Sequence, residues 1–240
     1  MMRKTSLLSA TGAVIAAMML SGIPAAHAQL KPETLTGSRI AVDPKAVEQK
    51  AAGIVRKNFA RCVYARSAKP VTALLNNSDI SAVSVEAAGI KNIVKELGLD
   101  DCLSREVGYN QNALGMKFSP IFFRDLMAEE AYLAANKNVP VLPQPVPPAP
   151  YKFVTTGNGL KVAMGLAEFA DCVVVTDIAN ADALVRTMPA SDDEKAIARA
   201  MAPALGECLT EGQQVSLTPA TIRALTAYAL WTRFGRTTSQ

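Results

Sequence analysis

The sequence predicts an all-α fold made of two tandem disulfide-stapled helical repeats joined by a Pro-rich connector. Three observations carry that expectation. Four blocks of residues occur twice in the same order, four cysteines fall at matched places in the two copies, and apolar residues recur at steps of three and four through most of both. Over 240 residues, hydrophobic side chains make up 50% and charged ones 19%, a globular balance that excludes disordered and collagen-like chains.

Residues 1–28 read as a signal peptide. Arg3 and Lys4 form the basic start, Leu7 to Leu20 the apolar part, and Ala26-His27-Ala28 the small-x-small site, with cleavage expected after Ala28. Ser9, Thr11 and Gly12 interrupt the apolar part, which falls short of the roughly 20 residues that a permanent membrane helix needs. The expectation is a periplasmic or secreted chain with no stable membrane span after cleavage. Cleavage would remove two bases and no acid, taking the net charge from +4 to +2, and with them the one histidine, His27. A mature chain without imidazole excludes every mechanism that needs one.

Residues 29–42 read as a flexible arm, and 43–137 as the first helical repeat. Asp43-Pro44 suits a helix start, because aspartate caps an orphan amide and proline at the first helical position loses no bond. Val47, Ala51, Ile54, Val55, Phe59, Cys62 and Val63 then form the expected buried stripe. Lys45, Lys50, Arg56, Lys57 and Arg61 are spread along the same helix among acids and alanines, which reads as a solvated face and not as a nucleic-acid surface.

The copies match as follows. Phe59-Ala60-Arg61-Cys62-Val63 recurs as Phe169-Ala170-Asp171-Cys172-Val173, and Ala73-Leu74-Leu75 as Ala183-Leu184-Val185. Leu99-Asp100-Asp101-Cys102-Leu103 recurs as Leu205-Gly206-Glu207-Cys208-Leu209. Ser119-Pro120 with Arg124, Leu126 and Ala128 recurs as Thr218-Pro219 with Arg223, Leu225 and Ala227. The spacing between matched blocks shrinks from 110 to 106 to 99 residues, which makes Asn110 to Met116 extra residues of the first copy.

Residues 138–150 hold the prolines of the connector, whose missing amides favour an extended polyproline course of about 40 Å at about 3.1 Å per residue. Such a segment suits separate beads and equally a strap across packed copies. Residues 151–235 are the second repeat. Ser191-Asp192-Asp193-Glu194 is a capping box before Ala196, Ile197, Ala200, Met201 and Leu205. Ser119-Pro120 and Thr218-Pro219 start the last helix of each copy, with Phe122, Phe123, Leu126, Met127 and Ala131 buried in one and Ile222, Leu225, Ala229 and Leu230 in the other. Val173-Val174-Val175 and the run from Tyr151 to Thr156 would also suit short strands.

Four cysteines allow three pairings, and descent of both copies from one stapled unit selects Cys62 with Cys102 and Cys172 with Cys208. Each bond would close a loop of about 40 residues, worth roughly 3 to 4 kcal/mol in the chain-entropy model. There is no C-x2–4-C spacing for zinc, no C-x-x-C redox pair and no haem-attachment motif.

Catalytic motifs are wanting. G-x-S-x-G is missing, Ser191 to Lys195 is one residue too long for S-x-x-K, and Gly157-Asn158-Gly159 reads as a turn. The acid pairs Asp100-Asp101, Glu129-Glu130 and Asp192-Asp193 do not recur between copies and read as caps and solvated faces. No catalytic residue, cofactor or metal ligand is assigned. Trp231 matches Tyr132, as a core or inter-copy contact would. Arg124 and Arg223 recur in the first turn of the last helix of each copy, against the helix dipole. They are the candidate anion or partner contacts, with Asp101 or Glu207 as the expected structural counter-charge.

The pattern Cys-Val, then Leu-x-x-Cys-Leu, then Ser/Thr-Pro-x-x-x-Arg-x-Leu-x-Ala resembles a group of exported alphaproteobacterial proteins of unknown function, sphingomonad ones in particular. The resemblance spans about residues 59–133 and 169–231; it implies source and an exported location and no mechanism. The expected function is a non-enzymatic periplasmic protein that binds another protein or an envelope component. The alternatives are a carrier of a small apolar ligand and, third, a histidine-independent hydrolase.

Overall fold

The computed structural model describes residues 49–107, 119–210, 212 and 216–236. The segments expected to be a signal peptide, an arm, the Asp43-Pro44 helix start and the extra residues Asn110 to Met116 lie outside them. Among the described residues the regular structure is helical, with no strand. Val173 to Val175 lie inside a helix, and Tyr151 to Thr156 take neither helix nor strand, so the local β preference yields to the packing around it.

The first long helix, α1 (Gln49–Asn76), bends at Ser67, whose φ of −131° leaves the helical region. The cause lies three residues on, where Pro70 can give no amide to the Arg66 carbonyl. Two short helices follow, α2 (Ile93–Leu97) and α3 (Leu99–Val107). Asn92 caps α2 by accepting from the Lys95 amide at 3.0 Å, while Glu96 reaches back to the Asn92 amide at 3.0 Å. Gly98 ends α2 at φ 64°, a left-handed turn that glycine adopts without strain. Helix α4 (Pro120–Ala135) starts as expected, with Ser119 Oγ accepting from the Phe122 amide at 3.2 Å.

After the proline-rich stretch come α5 (Asn158–Thr176), α6 (Ile178–Arg186), α7 (Asp192–Ala200), α8 (Ala202–Cys208) and α9 (Pro219–Phe234). The Ser191 cap forms, accepting from the Glu194 amide at 3.1 Å. Thr218 caps α9 through the Thr221 amide at 3.1 Å. Helix α9 lies at the centre. It packs on α4, α5, α6 and α7, and α1 packs on the far side of α4. Helices α4 and α9 run in the same direction: Phe122 and Pro219 line one cleft near their starts, and Tyr132 and Asn136 meet Phe234 near their ends. One continuous apolar core joins Phe59, Leu74, Met127, Tyr132, Leu184, Leu230 and Trp231.

Disulfides Cys62–Cys102 and Cys172–Cys208 tie α1 to α3 and α5 to α8. The pairing is the one that the matched blocks select. Two disulfides belong to an oxidising compartment. No helix among the described residues is long and apolar enough to cross a membrane.

Two expectations about faces need correction. On α1, Ala51 is exposed and Ile54 is 40% exposed, while Gly53, Lys57, Phe59, Ala60 and Val63 are buried. Gly53 explains the rotation: a Cβ there would collide with the Pro189 carbonyl, so only glycine lets the chain before α7 lie against α1. On α7 the buried residues are Glu194 and Ala198, with Ala196 and Ala200 exposed, because Glu194 turns inward to an ion-pair partner.

The stretch from 138 to 157 is held at several points. Arg233 donates to the Pro147 carbonyl at 3.1 Å and Arg236 to that of Pro150 at 2.6 Å. The Tyr151 ring stacks on Tyr228 with centroids 6.1 Å apart, and its hydroxyl donates to the Ala167 carbonyl. Asp79 makes the tightest anchor. Its carboxylate accepts from the amides of Val154 at 2.7 Å and Thr155 at 2.6 Å, and from those of Ser81 and Ala82 in its own loop.

Candidate functional site

The site follows from an unfinished helix end. Helix α6 stops at Arg186, so its last carbonyls need donors from elsewhere. Arg223 of α9 supplies them, donating to the carbonyls of Leu184 at 2.9 Å, Val185 at 3.0 Å and Thr187 at 2.8 Å. A guanidinium there also meets the negative end of the α6 dipole. Lys57 of α1 adds a second cation at the same end, donating to the Val185 carbonyl at 3.1 Å.

Glu129 of α4 binds both cations. Its two oxygens accept from Arg223 Nε at 2.6 Å and Nη2 at 2.9 Å, a planar fork-on-fork contact. Its Oε1 also accepts from Lys57 Nζ. Glu194 of α7 takes Arg223 Nη1 at 3.2 Å on one oxygen and the Ala190 amide at 2.7 Å on the other. Glu130 lies 3.1 Å from Lys57 Nζ and 4.0 Å from the exposed Arg61. Burial works against the Arg223 charge, but Glu129 and Glu194 outweigh it and raise its pKa. Burial pushes the Glu130 carboxyl up, with Lys57 pulling the other way.

Three readings of the sequence are therefore overturned. Glu129 and Glu130 are not a solvated face; they are 3% and 6% exposed. Lys57 is buried too, at 2%. Arg223 pairs with Glu129 and Glu194, not with Glu207, because the parallel packing of α4 on α9 brings Glu129 across to it. Asp101 sits on the surface and takes Arg66 at 2.8 Å.

Arg124 occupies the matching place on α4 with other surroundings. Its guanidinium is 1% exposed, 4.8 Å from the centre of the Tyr228 ring and 2.9 Å from Asp125 Oδ1, yet no nitrogen is in line for a hydrogen bond. Burial pushes the Asp125 carboxyl up to about 6, with Arg124 lowering it and Glu129 raising it.

Above the network opens a cleft of about 450 Å³ between the starts of α4 and α9, walled by α1 and by residues 189–195. Phe122, Leu126, Pro189, Pro219 and Ala224 give it apolar sides, and Asp125, Glu129, Glu194 and Arg223 reach its floor. A second, shallower depression runs along α5 beside Leu160, Met164 and Glu168. The structure thus brings Arg223 to a cleft and leaves Arg124 behind it in the core. Among the described residues no group of three or more Cys, Asp or Glu side chains is arranged to hold a metal ion.

Sequence reasoning missed Lys57, Asp125 and Glu194. A signal existed in the mismatches around the matched sequence blocks: Lys57 falls opposite Ala167, Glu129 opposite Tyr228 and Glu130 opposite Ala229. Compared with family models, with curated proteins and with solved structures, the chain matches none.

Proposed function

We propose that the chain is a non-enzymatic periplasmic protein, two disulfide-stapled helical repeats joined by the proline-rich connector, that binds another polypeptide at the cleft between α4 and α9. The signal-like segment 1–28 and the two disulfides support export. The repeat layout is supported by staples that join corresponding elements, α1 to α3 and α5 to α8, and by the parallel pairing of the two Ser/Thr-Pro helices. The observation that carries the binding reading is the state of the cleft floor. Glu129, Glu194 and Arg223 spend their hydrogen bonds on one another and on the end of α6. Groups so engaged hold a shape; they are not poised to move protons. An apolar wall over a rigid polar floor is what a recognition site needs.

The carrier reading has less support, since a small apolar ligand would lie against charges. Photo-crosslinking in intact periplasm tests the proposal. A photoreactive residue at exposed Ala220, on the cleft rim, should give one discrete adduct. The same residue at Lys161, on α5, should give none. Equal labelling at both, or none at Ala220, would count against the cleft.

A further inference from the structure

The cleft contains one carboxylate that the network does not use. Asp125 lines it with its side chain 15% exposed. Among the described residues neither of its oxygens accepts a hydrogen bond, in contrast to Glu129 and Glu194 beside it. Its one ion contact, with Arg124, comes from behind, out of hydrogen-bonding line, and Arg124 is not part of the cleft wall. The open side of the carboxylate therefore lacks an aligned donor. Phe122, one turn earlier on the same face of α4, already has a guanidinium on its ring, that of Arg56 at 5.8 Å.

We propose that the cleft receives a lysine or arginine side chain of the partner polypeptide, with Asp125 as its counter-charge and Phe122 and Leu126 along its stem. The inference rests on the binding-protein reading above and names what the partner presents. Charge complementarity favours a cation, because an acidic side chain would face Asp125, Glu129 and Glu194 together. Of the cations at the walls, Arg223 is consumed by Glu129 and Glu194, and Lys195 is held by Asp192 at 3.1 Å. Arg56 stays on the Phe122 ring and would be displaced from it by the incoming group.

The groups facing Asp125 are Arg124 and Glu129 on α4, Arg56 on α1, Glu194 and Lys195 on α7, and Arg223 on α9. Glu130 titrates on the other side, against Lys57 and Arg61. With Asp125 titrating at about 6, a ligand that needs its ionised form should lose about tenfold in affinity between pH 8 and pH 5.

The test uses the full, disulfide-bonded chain and titration calorimetry with acetyl-Leu-Lys-Leu-amide and its norleucine counterpart. At pH 8 the lysine peptide should bind at least tenfold more tightly. The preference should fall about tenfold at pH 5 and vanish in Asp125→Asn. Equal binding of the two peptides, or an undiminished preference in Asp125→Asn, would overturn the proposal. Binding of n-butylammonium as tight as that of the lysine peptide would overturn the polypeptide occupant in favour of a free amine. A discrete crosslink at Ala220 without any lysine preference would sink this inference alone, whereas loss of the crosslink would sink the reading beneath it.

Discussion

Arg223 and Arg124 stand at matched places in the sequence, but their partners give them different weights. Removing Arg223 takes the cation from Glu194, one of two cations from Glu129, and the donor from the Thr187 carbonyl, while Lys57 still holds Glu129 and the Val185 carbonyl. Loss of one member of a buried ion network costs about 3 to 5 kcal/mol, so Arg223→Met should lower stability to denaturant by that amount. Arg124→Met removes a cation–π contact and one misaligned ion contact, and should cost about 1 kcal/mol. Equal losses in the two variants would contradict the assignment of partners. The recurrence of the arginines was legible in the sequence. The Glu129 partner of Arg223 was not, because it lies 94 residues away on α4 and no local spacing points across a helix pair.

Asp79 belongs to the same scale. Five hydrogen bonds converge on its carboxylate, from Ser81, Ala82, Val154 and both the amide and hydroxyl of Thr155. Burial raises its pKa, but the hydrogen bonds from Thr155, Ser81 and Val154 outweigh that and leave it lowered. A carboxyl lowered in the folded state adds stability above its unfolded pKa of about 3.9, and loses that contribution as pH falls through the folded value. Asp79→Ala should therefore cost about 3 kcal/mol near neutrality. Its deficit should shrink below about pH 4. Urea melts of both proteins across pH 2 to 7 measure this directly; a deficit independent of pH would mean that the charge is not what holds the 154–155 segment.

At the scale of elements, the caps and staples were the readable part. Ser119, Ser191 and Thr218 each cap the helix expected of them, since a capping hydroxyl acts within three residues and is a local matter. The buried faces were less readable. Periodicity placed Ala51 and Ile54 inward on α1, but helix orientation is set by what packs against it, and here a glycine and a buried lysine face the interior. Of the charges expected at the surface, Asp100, Asp101, Asp192 and Asp193 are exposed, whereas Lys57, Glu129 and Glu130 are core. Lys57 and Glu129 gather around the end of α6 instead. The staples also allow a quantitative expectation. The sequence separations are 40 and 36 residues, so replacing either cysteine pair by serine should cost about 4 kcal/mol in the chain-entropy model. The two costs should agree closely, as their loop lengths do. A markedly smaller loss for Cys172 and Cys208 would mean that α8 is held to α5 mainly by packing.

At the scale of the whole molecule, the question is what joins residues before the connector to those after it. Both disulfides lie on one side or the other of residues 138–150, so neither links the helices before that stretch to those after it. The non-covalent links are many. Helices α4 and α9 lie side by side, Lys57 and Glu129 reach Val185 and Arg223, and Tyr132 donates to Asp182 at 2.6 Å. Arg186 binds Asp182 and then the Asn136 carbonyl at 2.9 Å, and Asp79 holds the chain just before α5. An interface that includes the centre of the core resembles an obligate one, in which neither side keeps its fold alone. A protease site inserted between Pro143 and Pro147 should therefore be cut without separating the pieces. The nicked protein should elute as one species in native buffer and as two in denaturant, even with the disulfides intact. Arg223→Met in the nicked protein should loosen the pair and bring dissociation within reach of dilution, because the broken contact lies across the interface and the chain no longer enforces proximity. Pieces that part on nicking of the parent protein would show instead that the two halves are separate beads and that the connector alone keeps them together.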